Sequence, residues 1–271
     1  YQLGQAGADY QFAGLGGFQV GDTTDMLLRS ATSGEFEVYD ISNNLITNAA
    51  SLGSVGMNWQ VMGFGNFSSR GETDMILRNV NTGGVEVYDL ANNQITGAAF
   101  LGAVGLDWQV SGFGDFSSRN EGDMLLRNVN TGGLELYDIA NNQITGAFFL
   151  GNVGLDWQYA GIAPVHAPGA SDLVLRNVNT GAFQVYDIAN NQLTGSASLG
   201  AVSLDWQLGG FAGVSPGASG AAMGSSDNST SQLVQAMAGF GGSGGAADGL
   251  NAGLANADAA QQTFLTTPQH G

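Results

Sequence analysis

DMLLRNVNTGGLELYDIANN (123–142) is one of four nearly identical stretches in this chain. Its companions are DMLLRSATSGEFEVYDISNN (25–44), DMILRNVNTGGVEVYDLANN (74–93) and DLVLRNVNTGAFQVYDIANN (172–191), each starting 49 residues after the one before. Outward from the block the register holds. Ile/Leu-Thr follows at 46–47, 95–96, 144–145 and 193–194, Leu-Gly at 52–53, 101–102, 150–151 and 199–200, and Trp-Gln at 59–60, 108–109, 157–158 and 206–207. Tyr10 continues the tryptophan series one step earlier. A fixed period of this size marks a chain made by stacking or radially arranging one supersecondary unit. Recent duplication alone would keep the copies alike, so their likeness speaks of ancestry and not of which positions work.

Within one copy, 124–127 is a short apolar run closed by an arginine, and 128–133 is a cluster of Asn, Thr and Gly that forms turns. The β-formers of 134–139 follow, ended by Asn141-Asn142, a pair that tolerates the positive φ of tight hairpins. Residues 144–150 and WQYAGI (157–162) supply two more strands. Four short strands per unit, without a helical period, predict one antiparallel sheet of propeller-blade size. The expected fold is therefore all-β: a β-propeller-like array of four-stranded antiparallel blades running from about Tyr10, Trp59, Trp108 and Trp157, as a compact ring or an open arc. Residues 1–4 and 206–211 match spare strands at either end. The tryptophans are expected as wedges between blades, each burying on the order of 150–250 Å².

Composition narrows the partners. Six arginines and no lysine stand against 23 Asp and Glu, a net charge of −17 that opposes phosphate backbones and anionic membrane surfaces. Nucleic acid is thus not an expected partner, while cations and neutral sugars suit such a surface. No stretch reaches the ~20 apolar residues needed for membrane insertion. Cysteine is absent, which removes disulfides and thiolate metal sites. With Tyr1 at its start and no signal-peptide apolar region, the sequence reads as an excerpt of a longer protein. After Phe211 the composition shifts to Gly, Ala and Ser without Lys or Arg. Two regions are therefore expected, repeats over 1–213 and a low-complexity tail over 214–271. Within the tail, Leu233, Val234, Met237 and Phe240 at helical spacing predict a short helix near 230–240.

The order WQVSGFGDF (108–116), a short loop, then DMLLRN (123–128) resembles the FG-GAP-like, VCBS-type repeat of bacterial secreted and surface β-propellers, over about residues 1–213. The resemblance implies a secreted or cell-surface protein, in a family whose members serve adhesion, sugar binding and scaffolding. The tail resembles the unprocessed C-termini of proteins exported in one step by bacteria, which implies an export signal. The family's loop after Gly-Asp-Phe also implies calcium, held by side-chain and backbone oxygens. Here the third copy reads DFSSRNEGD (115–123) and the second NFSSRGETD (66–74), while 17–25 and 164–172 are more eroded. Asp115, Asp123 and Asp74 are what remains of a ligand set, and the fifth position is Arg119 or Arg70. A guanidinium only donates hydrogen bonds, so calcium is disfavoured, no cofactor is expected, and these arginines should instead bridge the flanking carboxylates.

Two further sets repeat in phase. Arg29, Arg78, Arg127 and Arg176 end one strand, and Asp40, Asp89, Asp138 and Asp187 sit on the next, which predicts cross-strand ion pairs. The functional alternative makes these aspartates, with Tyr39, Tyr88, Tyr137 and Tyr186 as stacking faces, into repeated shallow sites for a glycan or surface polymer. His166 and His270 are the two histidines, so neither an iterated histidine metal site nor a Ser-His-Asp triad finds its parts, and His166 is expected on a surface loop. An identical polar set in every unit fits a scaffold, whereas an active site needs asymmetric parts. The expected function is a non-catalytic binding module for a glycan, a surface polymer or another protein. A purely structural or assembly domain is the second reading, and a propeller enzyme the third.

Overall fold

A computed structural model describes residues 3, 6–19, 24–71, 73–209 and 211. The tail at 214–271 with its expected helix lies outside the described residues, as does nearly all of the expected strand at 1–4. Sixteen strands form four sheets among the described residues. The first holds β1 Tyr10–Gly16, β2 Asp25–Ser30, β3 Glu35–Ser42 and β4 Leu45–Ser54. The second holds β5 Trp59–Gly65, β6 Asp74–Asn79, β7 Gly84–Ala91 and β8 Gln94–Ala103. The third holds β9 Trp108–Gly114, β10 Asp123–Asn128, β11 Gly133–Ala140 and β12 Gln143–Asn152. The fourth holds β13 Trp157–Ala163, β14 Asp172–Asn177, β15 Ala182–Ala189 and β16 Gln192–Ala201. Every sheet is antiparallel with its strands in chain order, and no helix occurs among the described residues. The architecture is thus the expected all-β, propeller-like array of four-stranded blades with a repeat of 49 residues. Residues 206–209 and 211, read as a spare strand, carry no strand pairing.

Local chemistry explains the outline of each sheet. The Asn-Asn pairs hold φ near 50–63°, as in Asn141 (51°) and Asn142 (59°), and so close two-residue hairpins whose twist suits the flanking strands. On the first strand a bulge recurs, between Val61 and Gly63 in β5. It sets Gly63 against the next sheet, where an added Cβ would stand 2.6 Å from the Phe113 ring. Only a residue without a side chain lets the neighbouring aromatic come so close.

Each pair of neighbouring sheets encloses one apolar cluster, so an inner sheet buries both faces. Leu27, Phe36 and Val38 of the first sheet meet Phe64, Met75, Leu77 and Leu90 of the second. Ile76, Val85 and Val87 meet Phe113, Met124, Leu126 and Ile139 across the next gap. Leu125, Leu134 and Leu136 meet Ile162, Leu173, Leu175 and Ile188 across the last. Trp59, Trp108 and Trp157 pack half-buried against these clusters, whereas Trp206 is 45% exposed. The first strands touch in series, β1 on β5, β5 on β9 and β9 on β13. Among the described residues the fourth sheet does not pack on the first in this way, so the array is an open arc.

The predicted Arg–Asp cross-strand pairs are corrected. Arg78 stands opposite Val85 on β7, four residues from Asp89, which is about 13 Å along a strand. Its guanidinium turns instead to the next sheet, donating to the carbonyls of Trp108 (2.6 Å) and Gly105 (2.8 Å). Arg29 does the same to Trp59 and Gly56, and Arg176 to Trp206 and Ser203. Arg127 donates to Gly154. Arg29, Arg78 and Arg127 thus tie each sheet to the start of the next, and Arg176 ties the fourth sheet to the segment that follows it.

Candidate functional site

The array has two edges of different character. At one edge lie the Asn-Asn hairpins and the loops between first and second strands. Here Asn142 Nδ2 donates to Asp89 Oδ1 at 2.7 Å and the Asn142 amide donates to the Phe67 carbonyl at 2.9 Å, locking the third sheet to the second. Asn191 locks the fourth to the third through Asp138 (2.8 Å) and the Phe116 carbonyl (3.0 Å). Asn93 locks the second to the first through Asp40 (2.6 Å) and the Phe18 carbonyl (3.1 Å). Asp40, Asp89 and Asp138 are 3%, 2% and 1% exposed, so their carboxylates serve these joints, and a sugar reaching them would have to displace the asparagines. Asp187 has no such asparagine and its side chain is 23% exposed.

The tyrosines stand half-buried on the opposite face. Tyr88, Tyr137 and Tyr186 pack against the apolar clusters between sheets. The Tyr39 hydroxyl donates to Glu37 at 2.7 Å and that of Tyr88 to Glu86 at 2.8 Å. Desolvation, reinforced by these carboxylates, pushes both phenols up to about 12. The structure therefore sets each tyrosine and its following aspartate on different faces of a strand.

The loops that resemble calcium sites are filled by their own groups. Asp115 accepts hydrogen bonds from the backbone amides of Arg119 and Asn120 at 2.8 and 2.9 Å, and Asp123 Oδ2 accepts from the Ser117 amide at 2.7 Å. The guanidinium of Arg119 does not bridge Asp115 and Asp123, a correction to the expected bridge; it donates to Asp138 at 3.2 Å and lies 4.0 Å from Glu121. Arg70 does likewise to Asp89 at 3.1 Å. Burial pushes the Asp123 carboxyl up to about 7 and that of Asp74 to about 6. A fifth position that can only donate hydrogen bonds, and Asp115 oxygens already taken by backbone amides, do not fit calcium.

The fourth loop differs. His166 Nδ1 lies 2.7 Å from Asp172 Oδ1 and 3.8 Å from Asp187 Oδ1. His166 lies exposed on the loop between β13 and β14, as expected, and there it is engaged by a buried carboxylate.

The other edge is a row of turns that recurs from sheet to sheet. Each turn between second and third strands is stapled to the loops flanking it in space. Val104 donates its amide to Gly83, and Val80 to Asn58; Val129 donates to Asp107 and Val153 to Gly132; Val178 donates to Asp156 and Val202 to Gly181. Along this row stand Met57, Val80, Leu106, Val129, Leu155, Val178 and Leu204, at 51%, 44%, 58%, 38%, 55%, 39% and 54% exposure. Leu106 lies over the Gly83 turn and Leu204 over the Gly181 turn, 3.6 and 3.5 Å from where a Cβ would be. Single exposed apolar side chains are ordinary, whereas their recurrence at equivalent turns along one edge makes this edge a candidate contact surface. The sequence signal was the turn motif VGMN, VGLD, VGLD, VSLD at 55–58, 104–107, 153–156 and 202–205, with a large apolar residue where a turn has no structural use for one.

No protein-family model matches the chain, and no curated protein matches it. Solved structures do. The propeller of Dos1 aligns at 11% identity and a TM-score of 0.41, covering 70% of this chain and 60% of that one. The WD40 domain of SCAP from fission yeast aligns at 12% identity and 0.41, covering 67% and 41%. The dihydro-heme d1 dehydrogenase NirN in complex with DHE aligns at 10% identity and 0.38, covering 65% and 35%. The chain thus spans less than two thirds of each. At these scores the likeness adds nothing to what the four sheets themselves establish.

Proposed function

We propose that this chain is a non-catalytic interaction module that holds a protein or surface polymer along its turn edge. The observation that carries the reading is the stapled row from Met57 to Leu204, apolar and exposed at the same place in every unit. Fully burying one such side chain contributes about 1.5–3 kcal/mol, and a row of equivalent weak contacts gains avidity on a repetitive partner. The net charge of −17 selects neutral or cationic partners over anionic ones. A role outside the bacterial cell, in adhesion or carbohydrate binding, rests on the resemblance of the repeats to FG-GAP-like proteins. The purely structural reading draws its support from the polar joints of the hairpin edge, which occupy Asp40, Asp89 and Asp138.

The test is binding of the purified chain to an array of glycans and surface polymers, repeated with Leu106→Ser and with Leu106→Ser plus Leu155→Ser. Binding that falls stepwise at unchanged melting temperature supports the module. Binding that ignores both changes refutes the turn edge, and absence of binding at millimolar ligand favours the structural reading.

A further inference from the structure

The four units share one polar site and differ in what balances its charge. In the second and third units the buried pairs Asp74–Asp89 and Asp123–Asp138 face one guanidinium each, from Arg70 and Arg119, and an asparagine from the following sheet. In the fourth unit the arginine position is Pro168. Among the described residues, Asp172 and Asp187 face His166 and neither a guanidinium nor an asparagine of another sheet. Asp172 is fully buried, and its Oδ2 accepts both the Val165 and His166 amides at 2.8 Å, which aims Oδ1 at the imidazole. The Oδ1 atom of Asp187 is shielded from solvent and has no hydrogen-bond partner, since 3.8 Å to His166 is beyond hydrogen-bond reach. Two carboxylates therefore converge on one imidazole nitrogen with less positive charge than either equivalent site.

We propose that His166, Asp172 and Asp187 form a binding site for one divalent transition-metal ion of the zinc class. Their three ligand atoms lie within 4.8 Å of one another. Tetrahedral zinc with bonds near 2.0–2.1 Å sets its ligand atoms about 3.3 Å apart. The 2.7 and 3.8 Å from His166 Nδ1 to the two carboxylates straddle that value, and all three ligand atoms stay within 4.8 Å of one another, so ion binding draws the two carboxylates in around the imidazole. The two backbone amides on Asp172 Oδ2 act as the outer support that fixes a ligating carboxylate. An imidazole with two carboxylates suits zinc, cobalt or nickel rather than calcium, which takes six to eight oxygens. With three protein ligands, a coordination position stays open to water or to a group of a partner. The site is independent of the turn edge, and the two readings stand or fall separately.

Cobalt(II) added alone to the full 271-residue chain is the probe, read by visible d–d absorption and by calorimetric titration, with zinc(II) as competitor. One cobalt per chain, displaced by zinc, is expected. His166→Gln removes a direct ligand and should weaken binding by roughly a hundredfold or more, beyond what loss of an outer-shell partner costs. Asp187→Asn tests the same site through a carboxylate oxygen that has no hydrogen-bond partner, so the change removes no hydrogen bond of that atom. Asp115→Asn, in the third unit, should leave the titration unchanged. No saturable binding in the wild-type chain, or binding that survives either His166→Gln or Asp187→Asn, overturns the proposal.

Discussion

Asn142 and Asp89, 53 residues apart in sequence, meet at 2.7 Å where the third sheet closes on the second. The positive φ of 59° at Asn142 turns its amide and side chain outward together, so one residue satisfies both the Phe67 carbonyl and the Asp89 carboxylate. Turn chemistry that closes a hairpin inside one unit thereby also joins two units. Asn142→Ala strips a hydrogen bond from a buried carboxylate and should cost about 1–3 kcal/mol. Asn44 occupies the equivalent place in the first unit, is exposed, and has no such partner among the described residues. Asn44→Ala should therefore cost only the strain of alanine at a positive φ, about 1–2 kcal/mol, which Asn142→Ala bears on top of its lost hydrogen bond. Urea unfolding of the two variants compares them directly.

Close approach of sheets at Gly63 gives a second expectation. Gly63→Ala drives a methyl group to 2.6 Å from the Phe113 ring, and overpacking of this kind costs about 1–3 kcal/mol. Replacing Phe113 with Leu in the same chain should recover part of the loss, which a double-mutant cycle by thermal unfolding will measure.

Asp123 sets a pH dependence. Burial raises its carboxyl from 3.8 to about 7 in the folded chain, so the fold binds this proton more tightly than the unfolded chain does. The favourable contribution is fully present below pH 4 and is lost as pH rises towards 7. Asp123→Asn keeps an acceptor for the Ser117 amide and carries no charge. Relative to wild type, the variant should gain stability steadily between pH 4 and pH 7, and equal slopes for the two proteins would refute the assignment.

Calcium should leave the melting temperature unchanged, because Arg70 and Arg119 stand where the resembling loops place a ligand and their guanidiniums hold Asp89 and Asp138. An ion bound at a hundredfold excess over its Kd would add about 2.7 kcal/mol, a shift that scanning calorimetry detects easily.

Much of this was legible in the sequence because it is local. The period fixes the unit, the Asn-Asn pairs fix the hairpins, and the strands fall within a residue or two of the places that alternation and turn chemistry assign them. What joins the units was not legible. Arg78 and Asp89 are 11 positions apart in sequence and read as partners, yet the register sets them at opposite ends of their strands, and each finds its partner in the next sheet. Such contacts span about one repeat length, and no pattern within a single unit announces them. The surface loop of His166 was legible, but its partners were not, since Asp187 comes close to it only through the fold. The row of Met57, Leu106, Leu155 and Leu204 was open to view in the sequence, because a large apolar residue in a turn has no core to enter.

Amide hydrogen exchange of the four equivalent asparagines, followed by NMR at low protein concentration, tests the open, jointed array most directly. Asn93, Asn142 and Asn191 donate their amides to Phe18, Phe67 and Phe116 across the joints, and should exchange slowly, with protection approaching that of the strands they tie. The Asn44 amide should exchange as an exposed turn does. Equal protection at all four would mean that the first and fourth sheets close on each other, and equal lack of protection would mean that the joints do not exist; either result contradicts the account.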